Sequence, residues 1–236
     1  MRHRSRLTAL VAVACISSPV AAQSAQRWSL QASGLFVGVF GDAYDGLKSG
    51  PGGELQVRVT PSLWSYGAGL QYSSHGLKNE PGYNLSLSGV FFEPRRVFDV
   101  GSAKYAPYMS ARLSYLQLKA DLSNVVIDRI ARAEADIALS VRQRATASLS
   151  ASGYQGNIGG GVLTKLSPRV NLDLGVTLGL IRFGEATAKV NGRVTGTSGA
   201  SSGTGQNVVV RAGLAIGLGG GAKKAAAKPV TRPVRK

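Results

Sequence analysis

From Val170 to Leu180 every second residue is apolar, and the positions between are Asn171, Asp173, Gly175, Thr177 and Gly179. A period of two belongs to an extended strand with one face turned to an apolar medium. The alternation returns in segment after segment, with no dominant helical period. It predicts eight strands: Trp28 to Phe40, Gly53 to Thr60, Leu63 to Ser73, Tyr83 to Phe92, Lys104 to Ala120, Ser152 to Leu166, Arg169 to Phe183 and Gln206 to Leu218. Single-chain bacterial membrane barrels need an even number of strands.

The connections alternate in length. Thr60-Pro61-Ser62 and Leu166-Ser167-Pro168-Arg169 are tight, and Glu93-Pro94-Arg95-Arg96 opens a moderate turn ending near Ala103. Asp42 to Gly52, Ser74 to Gly82, Asp121 to Ala151 and Glu185 to Gly205 are longer or richer in Gly, Ser and Asn. Short turns on one rim and long loops on the other are the asymmetry of an outer-membrane barrel. Within 121–151 two patterns compete: Val126, Ile130, Ile137 and Val141 fit a helical face, whereas Ile137, Leu139, Val141, Ala145, Ala147 and Leu149 alternate as a strand. The favoured reading continues strands five and six as a hairpin, with a short helix near Ile127 to Ala135 as the alternative.

The positions opposite the apolar rows decide between a membrane barrel and a soluble ligand-binding one. They are mostly small: Ser29, Gln31, Ser33; Asn84, Ser86, Ser88; Ala106, Ser110, Ser114; Asn157, Gly159, Gly161; Gly213, Ala215, Gly217. Such groups suit the crowded interior of eight strands. Charges obey the same parity, since Glu54, Arg58, Arg112, Lys165, Asp173 and Arg211 all avoid the apolar rows. On the lipid side each would cost roughly 2–4 kcal/mol at mid-depth. Glu54, Arg58, Arg112, Asp173 and Arg211 are therefore expected to form a charge network in the lumen. Trp28, Trp64, Phe91 and Tyr105 fall toward the short-turn rim, and Phe40, Tyr72, Tyr83, Tyr115, Tyr154 and Phe183 toward the other. Trp28, Trp64, Tyr72, Tyr83, Phe91 and Tyr105 are the expected interfacial aromatics.

Composition adds location. Arg2, Arg4 and Arg6 precede an apolar run from Leu7 to Ile16 and then Val20-Ala21-Ala22, which reads as a signal peptide over residues 1–22. The expected barrel covers 23–219. Cys15 is the only cysteine; as a small hydrophobe it belongs to the leader, and the alternative makes it a lipidation site. The formal charge of +16 loses three arginines with the leader, leaving +13. Lys223, Lys224, Lys228, Arg232, Arg235 and Lys236 place six of those charges in 220–236, a flexible basic tail suited to polyanions such as lipopolysaccharide or cell-wall polymers. No specific nucleic acid is expected.

Tyr105-Ala106-Pro107-Tyr108, Gly159-Gly160-Gly161-Val162 leading to the Leu166 turn, and the alternating Asn171 to Leu180 strand, together with the leader, resemble the small eight-stranded outer-membrane barrels of the outer membrane protein A-like and opacity-type family. The resemblance covers residues 28 to 218. It implies an all-β, eight-stranded antiparallel transmembrane barrel in the bacterial outer membrane, with roles from adhesion and envelope stability to narrow pores. One departure stands out. Such barrels commonly end their last strand on an aromatic residue, and this chain ends Ala215-Ile216-Gly217-Leu218 before the tail.

Catalytic chemistry has little to build on. Some barrels of this kind deacylate lipid A with Ser, His and an acid, and the matching candidates are Ser74, His75 and Glu80 on a loop. Gly199 to Gly205 has no Lys-Ser/Thr after it and reads as a loop, and no metal-ligand spacing occurs. No cofactor is expected. The leading expectation is a structural, adhesive or surface-interacting barrel with a plugged lumen; the alternatives are a narrow porin-like channel and a lipid-modifying enzyme.

Overall fold

At lipid depth every backbone polar group must be paired within the protein, which a closed sheet achieves without a helix. The computed structural model describes residues 27–41, 44, 46–78, 84–121, 147–190, 193–198 and 204–218. The strands are β1 (Trp28–Phe40), β2 (Gly50–Val59), β3 (Trp64–Gly76), β4 (Asn84–Val97), β5 (Tyr105–Asp121), β6 (Ala147–Lys165), β7 (Val170–Val190), β8 (Arg193–Ser198) and β9 (Thr204–Leu218). They pair in the order β6-β5-β4-β3-β2-β1-β9-β7-β8, and an antiparallel β6–β7 ladder shuts the ring. Strands β1 to β7 and β9 form the eight-stranded barrel, while β8 pairs with the far end of β7.

Closure carries a defined stagger. Paired residues followed round the wall leave β5 at Tyr115, pass Val90, Leu70, Leu55, Ala32, Leu214, Leu172 and Thr164, and return to β5 at Tyr105, ten residues away. With strands about 4.8 Å apart and about 3.3 Å per residue, that stagger tilts the strands roughly 40° from the axis. Leu218 pairs with Trp28, so the last strand joins the ring without a terminal aromatic.

The strands differ from the sequence reading in several places, among them β3, which runs on to Gly76 through Ser74 and His75 where a loop is expected. β4 runs through Glu93-Pro94-Arg95-Arg96, where a turn was expected. Pro94 lacks an N–H, and the β4–β5 ladder omits Glu93 and Pro94 and resumes in the same register at Arg95. β7 reaches further toward the loop rim than expected, to Val190, whereas β6 begins at Ala147 and its ladder with β5 continues to Asp121–Ser148, as the hairpin reading of strands five and six has it. The expected loop from Glu185 to Gly205 also holds β8. The leader, the basic tail, Tyr83 and the contested stretch 122–146 lie outside the described residues.

The side-chain pattern changes along the barrel axis. Toward the turn rim the outside is apolar, with Leu55, Val57, Phe92, Met109, Leu174, Val176 and Leu214 exposed, and the inside is polar. Toward the loop rim this reverses. Leu35, Val37, Val39, Leu85, Leu87, Leu116, Ile181 and Phe183 form an apolar cluster inside the barrel, capped by Tyr44 and Leu47 from the β1–β2 connection. Gln117, Lys119, Arg182 and Gln206 point outward there. β4 holds both regimes in one strand. Asn84, Ser86 and Ser88, expected in the lumen, face outward, while Leu85 and Leu87 point in. A wall standing above the lipid meets water, so its outer face turns polar and its inner face supplies the core.

The aromatic rows bracket the apolar belt. Trp28, Trp64 and Tyr105 stand exposed near the turn rim, with Arg96 over the Trp64 ring at 5.4 Å and Lys104 over Tyr105 at 5.7 Å. Tyr72, Tyr115 and Tyr154 stand exposed on the other side, the last two with ring centroids 5.3 Å apart. The rise from Trp64 to Tyr72 is about 20 Å at the strand tilt, close to the roughly 25 Å of a lipid-facing band. Arginine placed at Leu178, inside the belt, is expected to cost about 2–4 kcal/mol, and at Ser86, above it, close to nothing. Urea unfolding in lipid vesicles measures both.

Candidate functional site

The lumen at mid-depth holds four arginines and three carboxylates, all buried: Arg58 on β2, Arg95 on β4, Arg112 on β5, Arg211 on β9, Glu54 on β2, Glu93 on β4 and Asp173 on β7. Alternation puts every one on the inner face. Glu93 is the hub, because it contacts all four arginines. Its Oε1 accepts from Arg58 Nη2 at 3.2 Å and, more closely, from Arg95 Nε, and its Oε2 accepts from Arg112 Nε at 2.6 Å and Arg211 Nη1 at 3.0 Å. Glu54 takes Arg112 Nη1 at 2.6 Å and Arg211 Nη1 at 3.3 Å.

Asp173 anchors the turn-rim side of the network. Arg95 Nη1 lies 2.7 Å from its Oδ2, Gln31 Nε2 donates to the same oxygen at 2.5 Å, and Tyr108 Oη donates to Oδ1 at 2.6 Å. Arg211 Nη2 donates in turn to Tyr108 Oη at 3.0 Å. The Tyr108 ring fits because Gly161 and Gly175 lie under it; a Cβ on either would come within 2.5 and 2.6 Å of the phenol oxygen. Arg95 stacks on that ring at 4.4 Å.

Glu54, Arg58, Arg112, Asp173 and Arg211 thus meet in one cluster, but Arg58 pairs with Glu93, and Glu93 and Arg95 were assigned to a turn. The missing signal was parity: both continue the inward row Leu85, Leu87, Gly89, Phe91 of β4 through Pro94. The same row corrects Phe91. It was expected at the membrane interface and instead lies in the lumen, 4% exposed, with Arg112 over its ring at 3.9 Å.

Above and below the charges the lumen narrows further. Toward the loop rim, Gln155, Asn157 and Asn207 form a chain in which Gln155 Nε2 donates to Asn157 Oδ1 at 2.5 Å and Asn157 Nδ2 to Asn207 Oδ1 at 2.6 Å, under the apolar cluster. In the cap, burial pushes the Tyr44 phenol above its ordinary range. Toward the turn rim a cavity of about 30 Å³ is lined by Arg58, Arg95, Thr60, Ser65, Asn171 and Leu163 among others, room for a water or two.

Ser74 and His75 are not brought together, since neighbouring strand residues face opposite ways. His75 points inward; its Nδ1 donates to the Lys48 carbonyl at 3.0 Å, and Nε2 lies 2.9 Å from Ser73 Oγ. Glu80 lies outside the described residues. Among the described residues no cluster of His, Cys, Asp and Glu could hold a metal.

A closed sheet with a charged, hydrogen-bonded interior and an apolar outer belt is a transmembrane β-barrel of the outer-membrane type. No protein-family model matches the chain, and no curated protein is similar to it in sequence. Among solved structures it is similar to Neisserial surface protein A, at 16% identity and a TM-score of 0.49 over 81% of this chain and 97% of that one. It is also similar to Ail, the attachment invasion locus protein of Yersinia pestis (14%, 0.43, 81% and 99%), and to the N-terminal β-barrel domain of OprF from Pseudomonas aeruginosa (12%, 0.40, 81% and 98%). The strand closure and the belt, rather than these alignments, define the class.

Neutralising the hub leaves the arginines facing Glu54 and Asp173 alone. Glu93→Gln is expected to destabilise the barrel by roughly 3–5 kcal/mol, as loss of one partner from a buried ion cluster does. Glu54→Gln, which meets two arginines, should cost less. Equilibrium unfolding of the refolded variants ranks them.

Proposed function

We propose that the protein is an outer-membrane barrel with a structural and surface-interacting role, its lumen closed to solutes. The observation behind this is that two unlike layers block the same axis: the Glu93-centred ion cluster and, above it, the apolar cluster under Tyr44 and Leu47. A hydrated solute would have to shed its water at the second layer and break ion pairs at the first. Neither task is cheap inside a low-dielectric tube.

The interacting surface in this reading is the rim above the belt. Arg182 faces outward one step beyond Leu180 and Lys119 two steps beyond Tyr115, where long side chains can reach lipid phosphates. Outer-membrane lipids and the phosphates of lipopolysaccharide are the partners this charge selects. The basic tail would work on the periplasmic side, against cell-wall polyanions.

Purified protein in planar bilayers is expected to give no stable conductance steps. Reproducible steps whose size or selectivity changes in Arg112→Gln or Arg211→Gln would establish a narrow channel instead and overturn this reading.

A further inference from the structure

The ion cluster does not balance. Four guanidinium groups face three carboxylates inside the barrel, and Tyr108, which donates its proton to Asp173, adds no negative charge. One positive charge is left in a site largely cut off from water, where an unpaired ion is costly.

The surplus has a location. Each of the four arginines keeps one buried nitrogen without a hydrogen bond; Arg112 Nη2 lies against Glu93 and Arg211 Nε 3.7 Å from Asp173, whereas Arg58 Nε and Arg95 Nη2 belong to the two arginines that line the cavity on the turn-rim side of the cluster. The Thr60 and Ser65 hydroxyls border the same space, 2.8 Å from each other. Gln31 Oε1, on the same wall, also lacks a partner and would take a hydrogen from one trapped water. At the turn rim the charges are Arg27, Lys165 and Arg169, with Arg96 and Lys104 on the outer face over Trp64 and Tyr105, against Asp99, the one carboxylate there among the described residues. Such a rim concentrates anions at the opening.

We propose that this cavity binds a small monovalent anion of halide size, held by Arg58 and Arg95 and entering from the turn-rim side. The site needs no movement of the ion cluster and does not open the lumen. A cavity of about 30 Å³ admits a halide with at most one water and has no room for a large organic anion. Bound there, the anion completes the charge balance and stabilises the folded barrel by mass action.

Crystals of the refolded protein grown from a bromide salt, with data collected at the bromine absorption edge, are expected to show an anomalous peak between Arg58 and Arg95. In urea titrations at constant ionic strength, the folding equilibrium constant should rise with chloride, approaching about tenfold for each tenfold rise once chloride is well above the dissociation constant, with gluconate as the inert replacement. Leu163→Trp fills the cavity without touching a charge, and should abolish both the peak and the halide dependence while the heat-sensitive gel shift of the folded barrel persists. A dry or water-filled cavity with halide-independent stability would overturn the proposal. So would a halide effect that survives in Leu163→Trp, since it would belong to the exposed rim.

Discussion

A carboxylate with no access to water sits at the centre of this barrel, and most of the interior is arranged around keeping it ionised. Glu93 reaches arginines from β2, β4, β5 and β9, and through Arg95 and Arg211 it is tied to Asp173 on β7. Such a cluster adds little net stability over a packed apolar core, because desolvation offsets most of the attraction. Its effect on specificity is larger. A slip of one residue in any of these strands would turn its charge to the lipid and leave its partners unmatched, so the cluster penalises wrong registers on five strands together.

The same economy of faces explains why the barrel reads differently at different heights. Inside the belt, lipid solvates the outer face and the polar groups turn inward to one another. Above it, water takes the outer face and Leu85, Leu87, Leu116, Ile181 and Phe183 collapse inward. The boundary passes through β4 between Ser88 and Val90, outward neighbours on one strand. Arg182 marks it on β7, one outward step beyond Leu180.

Alternation made the ring of eight strands legible, because closure asks only for a period of two and for turns of the right length. Parity also placed Arg58, Arg112, Asp173 and Arg211 on the inner face, since each interrupts a run that is uniformly apolar on its other side. β4 defeated the same logic. It crosses from water to lipid midway, so one apolar face could not describe it, and Pro94 resembled a turn although its missing N–H falls where the β5 ladder is already interrupted. Which arginine meets which carboxylate depends on stagger around the ring, a long-range quantity that no single strand encodes. The cap from Tyr44 and Leu47 was hidden for the same reason.

The strands are also unequal in length. β5, β6 and β7 run for 17, 19 and 21 residues, against 13, 10 and 13 for β1, β2 and β3. From Arg182 to Val190, β7 alone climbs about 20 Å beyond the belt at the strand tilt, and β8 broadens that side. The tube therefore has a tall wall and a low one. Among the described residues the loop rim thus has a front and a back, and anything that meets the barrel from that end reaches the tall wall first.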